Sequence, residues 1–303
     1  MPFNQGVCKL SWLLRGIANI VLKQLTMKKM YVIKASGEKE RFKPEKLVRS
    51  LVRAGASKEL ANLIANEVKP EIQSGMTTYE ILRLALERLK ARKESALLLK
   101  YDLKRALLSL GPSGYAFEKF VSSLLRKYGY ETETNVMLDG RCVSHEVDIV
   151  ARKDGKTYMV ECKYHNKRGI KTDLKVAMYT YARFLDLKKY FDAAWLICNT
   201  RCSSEAIKYC RCAGVRNTSW AYPPGGWSLE KMIDRKALYP ITILRSLDRE
   251  ERNIALQSGI ITVEDALKRG PKAFALAGID RETAFSAMEE IRALLKATSS
   301  AST

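Results

Sequence analysis

The sequence is short of several features that would otherwise decide its class. No G-x-x-x-x-G-K-[ST] run is present, so the chain lacks the phosphate loop by which many proteins use ATP as a fuel. Histidine is confined to His145 and His165, and neither stands at metal-ligand spacing. Cys198, Cys202, Cys210 and Cys212 crowd within 15 positions, but their spacings do not fit paired C-x2-4-C zinc knuckles and they read as small apolar side chains. Residues 1–26 hold an apolar stretch around Trp12, Ile17 and Val21, but Lys9, Arg15 and Lys23 interrupt it. It is too short to span a bilayer and no small-residue cleavage site follows, so neither a membrane partner nor secretion is expected. It reads as a short peripheral helix or an artefact of start assignment, with Met27 as an alternative start. The seven cysteines are then expected to stay free thiols in a reducing, cytoplasmic setting.

Acid is short as well. Against 53 Lys and Arg stand only 33 Asp and Glu, a formal charge of +20. Such an excess attracts polyanions through its long-range field and through counterion release, which makes nucleic acid the leading partner. The excess is uneven: residues 151–190 hold 11 basic against 4 acidic residues, whereas residues 248–296 hold 8 against 9. The middle of the chain is where phosphates are expected to gather. With 303 residues and 47% apolar content, the chain can bury two or three ordinary cores.

From Tyr31 the pattern reads as two short strands around a Gly37 turn, then Pro44 at a helix start, then helical periodicity to about Leu110. The run "VIKASGEKERFKPEKLVRSLVRAG" resembles the opening of an ATP cone, the small regulatory nucleotide-binding domain found ahead of ribonucleotide reductases. "ALLLKYDLKRAL" is similar to that domain's closing helix. The resemblance implies ATP or dATP as ligand, approached by Lys34, Gly37, Lys46 and Tyr101.

Gly111, Pro112, Ser113 and Gly114 resist both helix and strand and read as a linker. Beyond it the pattern predicts a helix over Phe117–Tyr128, strands near Glu133–Met137, Val147–Arg152 and Thr157–Lys163, then helix, strand, helix and a last strand near Val215. Asp154-Gly155 between two β-rich runs marks a hairpin. Side chains alternate along a strand, so Glu161 and Lys163 share a face about 7 Å apart, and strand pairing can bring Asp148 beside Glu161. Two carboxylates with an ammonium close by suit phosphodiester hydrolysis, because hard oxygens bind Mg²⁺ (or Mn²⁺), which takes a phosphate oxygen and water as its other ligands. Lys163 can orient or deprotonate that water, or stabilise developing charge. An isolated E-x-K is more often a solvated cross-strand pair, and the context decides.

That context is "HEVDIVARKDGKTYMVECKYHN", which closely resembles the catalytic core of Mrr-type restriction endonucleases of the PD-(D/E)XK nuclease superfamily. The family's metal-binding aspartate falls on Asp148, its second acid on Glu161, its lysine on Lys163, and a glutamate of its first core helix on Glu118, implying a metal set of Asp148, Glu161 and Glu118. His145 and His165 bracket this constellation as outer contacts. His165, Asn166, Lys167, Arg168 and Lys171 follow the second catalytic strand and are placed to hold a DNA backbone. Lys175, Tyr179 and Arg183 recur every four residues and read as a further DNA-facing stripe.

The last segment is helical, punctuated by Gly259, Gly270 and Gly278, and is similar to a helix-hairpin-helix array. The expected organisation is therefore a multidomain α+β and α/β chain: an extension (1–27), a mainly helical ATP cone (28–112), an αβββαβ restriction-endonuclease-like core (113–232), a small all-helical domain (233–297) and a disordered tail (298–303). The expected function is metal-dependent DNA cleavage under nucleotide control, in a homo-oligomer of two or more copies. The alternatives are a nucleotide-sensing DNA-binding protein that does not cut, and a nuclease for RNA or branched DNA.

Overall fold

The computed structural model describes residues 30–34, 36–92, 94, 97–98 and 102–299. The extension before Met30, Tyr101 and the last four residues lie outside the described residues. Packing divides the chain into two compact units, with the division between Arg88 and Leu89.

In the first unit, β1 (Tyr31–Ile33) and β2 (Lys39–Arg41) pair antiparallel, with Val32 opposite Glu40. Gly37, at φ 81°, closes the turn between them in a conformation that side chains disfavour. Pro44 opens α1 (Pro44–Arg53), where its missing N–H costs nothing. Ser57 caps α2 (Lys58–Val68) by accepting the Leu60 N–H at 3.1 Å. Thr77 and Glu80 cap α3 (Thr78–Ala91) reciprocally, the Glu80 carboxylate taking the Thr77 N–H at 2.7 Å. Leu47 and Leu51, one turn apart, are buried, whereas Val52 lies roughly 100° round the helix and is exposed.

The second unit is built on a five-stranded sheet. Its strands are β3 (Glu131–Asp139), β4 (Ser144–Lys153), β5 (Lys156–Lys163), β7 (Ala193–Cys198) and β9 (Arg216–Thr218), in that spatial order. The first three run antiparallel as a meander, while β7 and β9 join parallel to β5. The β4–β5 turn falls on Asp154 and Gly155, both at positive φ, as a two-residue hairpin requires. A small parallel pair, β6 (Lys171–Thr172) with β8 (Arg201–Cys202), stands beside the sheet.

Each face of the sheet has its own core. On one, α5 (Tyr115–Lys127) lays Phe117, Phe120, Val121 and Leu124 against Ile149, Ala151, Val160 and Trp195. On the other, α6 (Leu174–Asp186) and α7 (Ser204–Cys212) cover Val147, Val150, Met159 and Leu196 with Ala177, Phe184, Ala206 and Cys210. Each large apolar side chain so buried contributes roughly 1.5–3 kcal/mol.

The first of these cores extends well beyond the sheet. It takes in Leu103, Leu107 and Leu110 from α4 (Leu103–Leu108) and the residue pair beyond it, so the helix ahead of the Gly111 turn packs with the second unit. It also takes in Tyr239, Leu256, Phe274 and Leu294 from the C-terminal helices. Thr242 Oγ1 donates to the Ala106 carbonyl at 2.7 Å inside it. Those helices, α8 (Leu229–Lys236), α9 (Arg249–Gln257), α10 (Val263–Arg269), α11 (Pro271–Leu276) and α12 (Arg281–Ser299), are packed into the second unit. The last of them carries helix through Thr298 and Ser299, where the sequence suggests a disordered tail.

Candidate active site

The β4–β5 ladder runs from the turn up to Ile149 and Val160 and stops there. One residue further on, Asp148 bends its carboxylate across the gap, and Oδ2 accepts the Cys162 N–H at 2.7 Å. A side chain does at this point what the neighbouring strand does elsewhere. The side-chain alternation of β4 breaks at the same place: Val147 and Val150 belong to one core, Ile149 and Ala151 to the other. On the far side, the β3–β4 ladder passes over Asn135 and Asp148 without pairing them, and Asn135 sits at φ 57°. Asp148 is thus released from regular pairing on both sides.

Glu161 and Lys163 lie on β5, opposite Leu196 and Cys198 of β7. Glu161 is largely buried, and its carboxylate is held by the guanidinium of Arg183, which reaches in from α6. The same guanidinium donates to the carbonyl of Glu146 and lies 5.3 Å from the ring centre of Tyr179. Lys163 is close enough to favour the charged form of Glu161, and among the described residues its ammonium is committed to no ion pair. Glu118 comes from the first turns of α5, where the lack of a side chain at Gly114 leaves room for its carboxylate. The Asn135 amide nitrogen donates to Glu118 Oε2 and to Glu146 Oε1, both at 3.1 Å.

These acids act on each other. Burial and then the charge of Asp148 push Glu161 up to about 7, against the opposing pull of Arg183 and Lys163. Asp148 is raised by burial, with the Cys162 N–H and Arg183 opposing. Glu118 is raised by burial and by Asp148 and Glu146, with Asn135 opposing. The site carries more negative charge than its own cations neutralise.

The structure therefore brings together Asp148, Glu161 and Lys163, with Glu118 near enough for its charge to act on Asp148 and Glu161 and tied through Asn135 to Glu146. It also adds Glu146 and Asn135, which the sequence reading passed over. Glu146 lies two positions before Asp148 on one strand, the period that puts side chains on a common face, so a signal for it was present. For Asn135 there was none, since its position depends on a left-handed backbone angle.

The basic residues separate into two groups. Asn166, Lys167, Arg168, Lys171 and Lys175 are exposed. His165 is half-buried and structural in its contacts: its Nε2 meets Thr172 Oγ1 at 3.1 Å, and its N–H donates to Asn199 Oδ1 at 2.9 Å. His145 pairs with Asp186 through Nε2 at 2.8 Å. Arg183 corrects the expected DNA-facing stripe. At 3.6 residues per turn, a position eight residues after Lys175 has drifted roughly 80° round the helix, into the stripe of Ala177, Thr180 and Phe184 that faces the sheet. Arg183 is 7% exposed and serves Glu161 rather than solvent.

In the first unit, Lys34 and Lys46 converge on one carboxylate. Glu40 accepts from Lys46 Nζ at 2.7 Å and lies 3.4 Å from Lys34 Nζ, which also bonds Glu38 at 2.9 Å. Gly37 closes the turn beside them, and Tyr101 lies outside the described residues.

Among the described residues, no three His, Cys, Asp or Glu side chains gather to hold a metal ion, so the three-carboxylate set is not assembled here. The pair Asp148 and Glu161 fits a hard divalent cation by donor chemistry, since Mg²⁺ takes one or two carboxylates and fills its octahedron with water and phosphate. The upward shift of both acids is the electrostatic counterpart of that fit, because a dication would relieve it.

A meander opening onto parallel strands carries an acid freed at the strand parting and an acid and a lysine on the next strand, and the family models class the domain that holds them as nuclease-type. The restriction endonuclease family model matches residues 111–216, the ATP cone domain model residues 30–107, and the model for the AF1548-like C-terminal domain residues 239–295. The chain is thus a fusion of an ATP cone with an Mrr-type restriction endonuclease domain. It is 40% identical over 176 residues to an uncharacterized protein of Archaeoglobus fulgidus, spanning 58% of this chain and 99% of that one. It is similar to the crystal structure of AF1548, a protein of unknown function, at 39% identity and a TM-score of 0.54, covering 61% of this chain and all of that one. The chain belongs to this AF1548-like family.

Proposed function

We propose that the protein is a divalent-metal-dependent DNA endonuclease under the control of ATP or dATP at its cone. The observation that carries this reading is the closure of Asp148 onto the Cys162 amide, which sets the aspartate beside Glu161 and Lys163. Asp148 and Glu161 would hold Mg²⁺ or Mn²⁺, which when bound supplies a water of lowered pKa and offsets phosphate charge. Lys163 donates to the attacking water or to the oxygen that gains charge. Glu118 and Glu146, bridged by Asn135, keep the field at Asp148 negative and so favour a cation there. The exposed Asn166, Lys167, Arg168, Lys171 and Lys175 supply phosphate contacts, and His165 braces the loop that bears them.

The test is nicking of supercoiled plasmid by the full chain with Mg²⁺ or Mn²⁺, with and without ATP. Asp148→Ala and Lys163→Ala are each expected to lower the rate at least about a hundredfold. Undiminished cutting by both variants would overturn the proposal.

One observation favours a second reading, a nucleotide-sensing DNA-binding protein that does not cut: a cation of the chain itself, Arg183, already occupies Glu161. DNA retention in a gel shift, with no cleavage under Mg²⁺, Mn²⁺ or Ca²⁺, would support that reading over the first.

A further inference from the structure

Strand β7 ends at Cys198, directly opposite Lys163, and the chain then turns through Asn199 and Thr200 into β8, which contains Cys202. The turn brings the two thiols face to face, Sγ to Sγ 3.4 Å, with Cys198 wholly buried and Cys202 7% exposed. Few side-chain movements separate such a contact from a bond of about 2.05 Å. The surroundings are polar for a thiol pair: Asn217 Nδ2 donates to Cys202 Sγ at 3.2 Å, and the Thr200 carbonyl oxygen lies 3.5 Å from Cys198 Sγ.

We propose that Cys198 and Cys202 are a dithiol modification site, oxidised to an intramolecular disulfide by small-molecule disulfides such as oxidised glutathione. The Cys202 thiolate attacks one sulfur of R–S–S–R, forming a mixed disulfide and releasing one thiolate. Cys198 then attacks Cys202 Sγ and releases the second, its proton passing to the departing thiolate. The balance is two protein thiols and one R–S–S–R giving one protein disulfide and two R–SH. Cys202 acts first because it retains some exposure and because donors from Cys198, Asn217 and Ser219 bring its thiol down to about 7, while Cys198 is pushed well up as the donor to Cys202 and by burial.

The site matters for its position. Asn199, next to Cys198, clasps His165 in both directions: Oδ1 accepts from the His165 N–H at 2.9 Å and Nδ2 donates to the His165 carbonyl at 2.8 Å. The Ser203 N–H likewise donates to the Thr172 carbonyl at 2.9 Å. A disulfide would staple the turn that holds both ends of the loop after Lys163, and any effect on cleavage rests on the nuclease reading above. The modification itself does not.

The experiment is peptide mapping of the full chain by mass spectrometry after incubation with oxidised glutathione under non-reducing conditions. Arg201 lies between the two cysteines, so trypsin separates residues 190–201 from residues 202–208, and the disulfide rejoins them in one species that reductant splits. The expected result is that species as the main intramolecular product, with Cys198→Ser instead leaving glutathione on Cys202. Exposed Cys142 and Cys212 report in the same sample that the oxidant has acted. Their modification while Cys198 and Cys202 remain free thiols, or a cross-link that joins Cys202 to Cys210 instead, would overturn the proposal. Neither outcome depends on DNA cleavage, so failure here and failure of the nuclease reading are separate results.

Discussion

Arg183, from the helix that covers the sheet, and Glu161, from the sheet's central strand, form an ion pair shielded from solvent, side chains 8% and 13% exposed. Taking both groups out of water is costly, and only their attraction and further bonds repay it. Arg183 gains the Glu146 carbonyl and the face of Tyr179 as well, while its Nε is left without a partner. The guanidinium ties α6, β4 and β5 together at the point where Asp148 turns inward.

Removing the arginine strands a buried carboxylate. Arg183→Ala is expected to cost about 3 kcal/mol at pH 8, the usual scale for breaking one half of a buried pair. At pH 5 Glu161 is mainly protonated and the ion pair is not there to be broken, so the cost shrinks to the lost packing and the lost bond to the Glu146 carbonyl. Urea unfolding at the two pH values measures both. An equal loss at each pH would show that the charge on Glu161 has no part in it.

Glu161 itself sets a pH dependence of the opposite kind from an ordinary salt-bridged acid. Its folded value of about 7 lies above the 4.5 of a solvated glutamate, so the folded state holds the proton more tightly. The associated stability is fully present below 4.5 and is lost as pH climbs through 7. Glu161→Gln cannot ionise and escapes that loss, so it should gain up to about 3 kcal/mol on wild type between pH 4.5 and pH 8. Denaturant midpoints across this range test it, and parallel curves for the two proteins would refute it. On the nuclease reading, metal-supported cleavage by wild type rises with pH through the same interval, because the ligand must be ionised.

How much of this could be read in the chain depends on how local each signal is. Asp154-Gly155 encodes its own turn, and both residues take the positive φ expected of them. Glu161 and Lys163 share a face by the period of a strand, which needs no tertiary knowledge. Asp148 needed more: its approach to Cys162 depends on where pairing stops, and that is decided by the break in alternation between Val147 and Ile149. Arg183 was misplaced because a four-residue repeat drifts off a 3.6-residue helix, and only the sheet says which stripe is covered. The union of Leu107, Phe120 and Phe274 in one core joins residues too far apart in sequence for any periodicity to connect.

Asn135 separates two carboxylates by donating to both, and it does so from a left-handed conformation that asparagine tolerates better than most residues. Asn135→Asp keeps the shape and the backbone tolerance but replaces the donor with a third negative oxygen pair facing Glu118 and Glu146. A loss of roughly 0.5–1 kcal/mol is expected at pH 8, since solvent screens the exposed Asn135 and Glu146, and it recovers as pH falls and Glu118, raised by burial, takes up its proton. Thermal unfolding at pH 8 and pH 4.5 distinguishes this from a simple packing defect, which would persist at both.

In the cone, Glu40 holds Lys34 and Lys46 together, and that arrangement has two opposite consequences for nucleotide. If phosphate oxygens take the place of the Glu40 carboxylate between the two ammonium groups, each lysine contributes charge-assisted bonds of about 1.5–3 kcal/mol, and losing one weakens binding about tenfold or more. Lys34→Ala and Lys46→Ala are each expected to do so in titrations with a fluorescent ATP analogue. Glu40→Gln acts in the other direction, because it removes the anion with which the phosphates compete while keeping a side chain of the same size. Tighter binding by Glu40→Gln together with weaker binding by the lysine variants identifies this cluster as the phosphate site. Unchanged affinity in all three would place the nucleotide elsewhere on the cone or remove it from the account altogether.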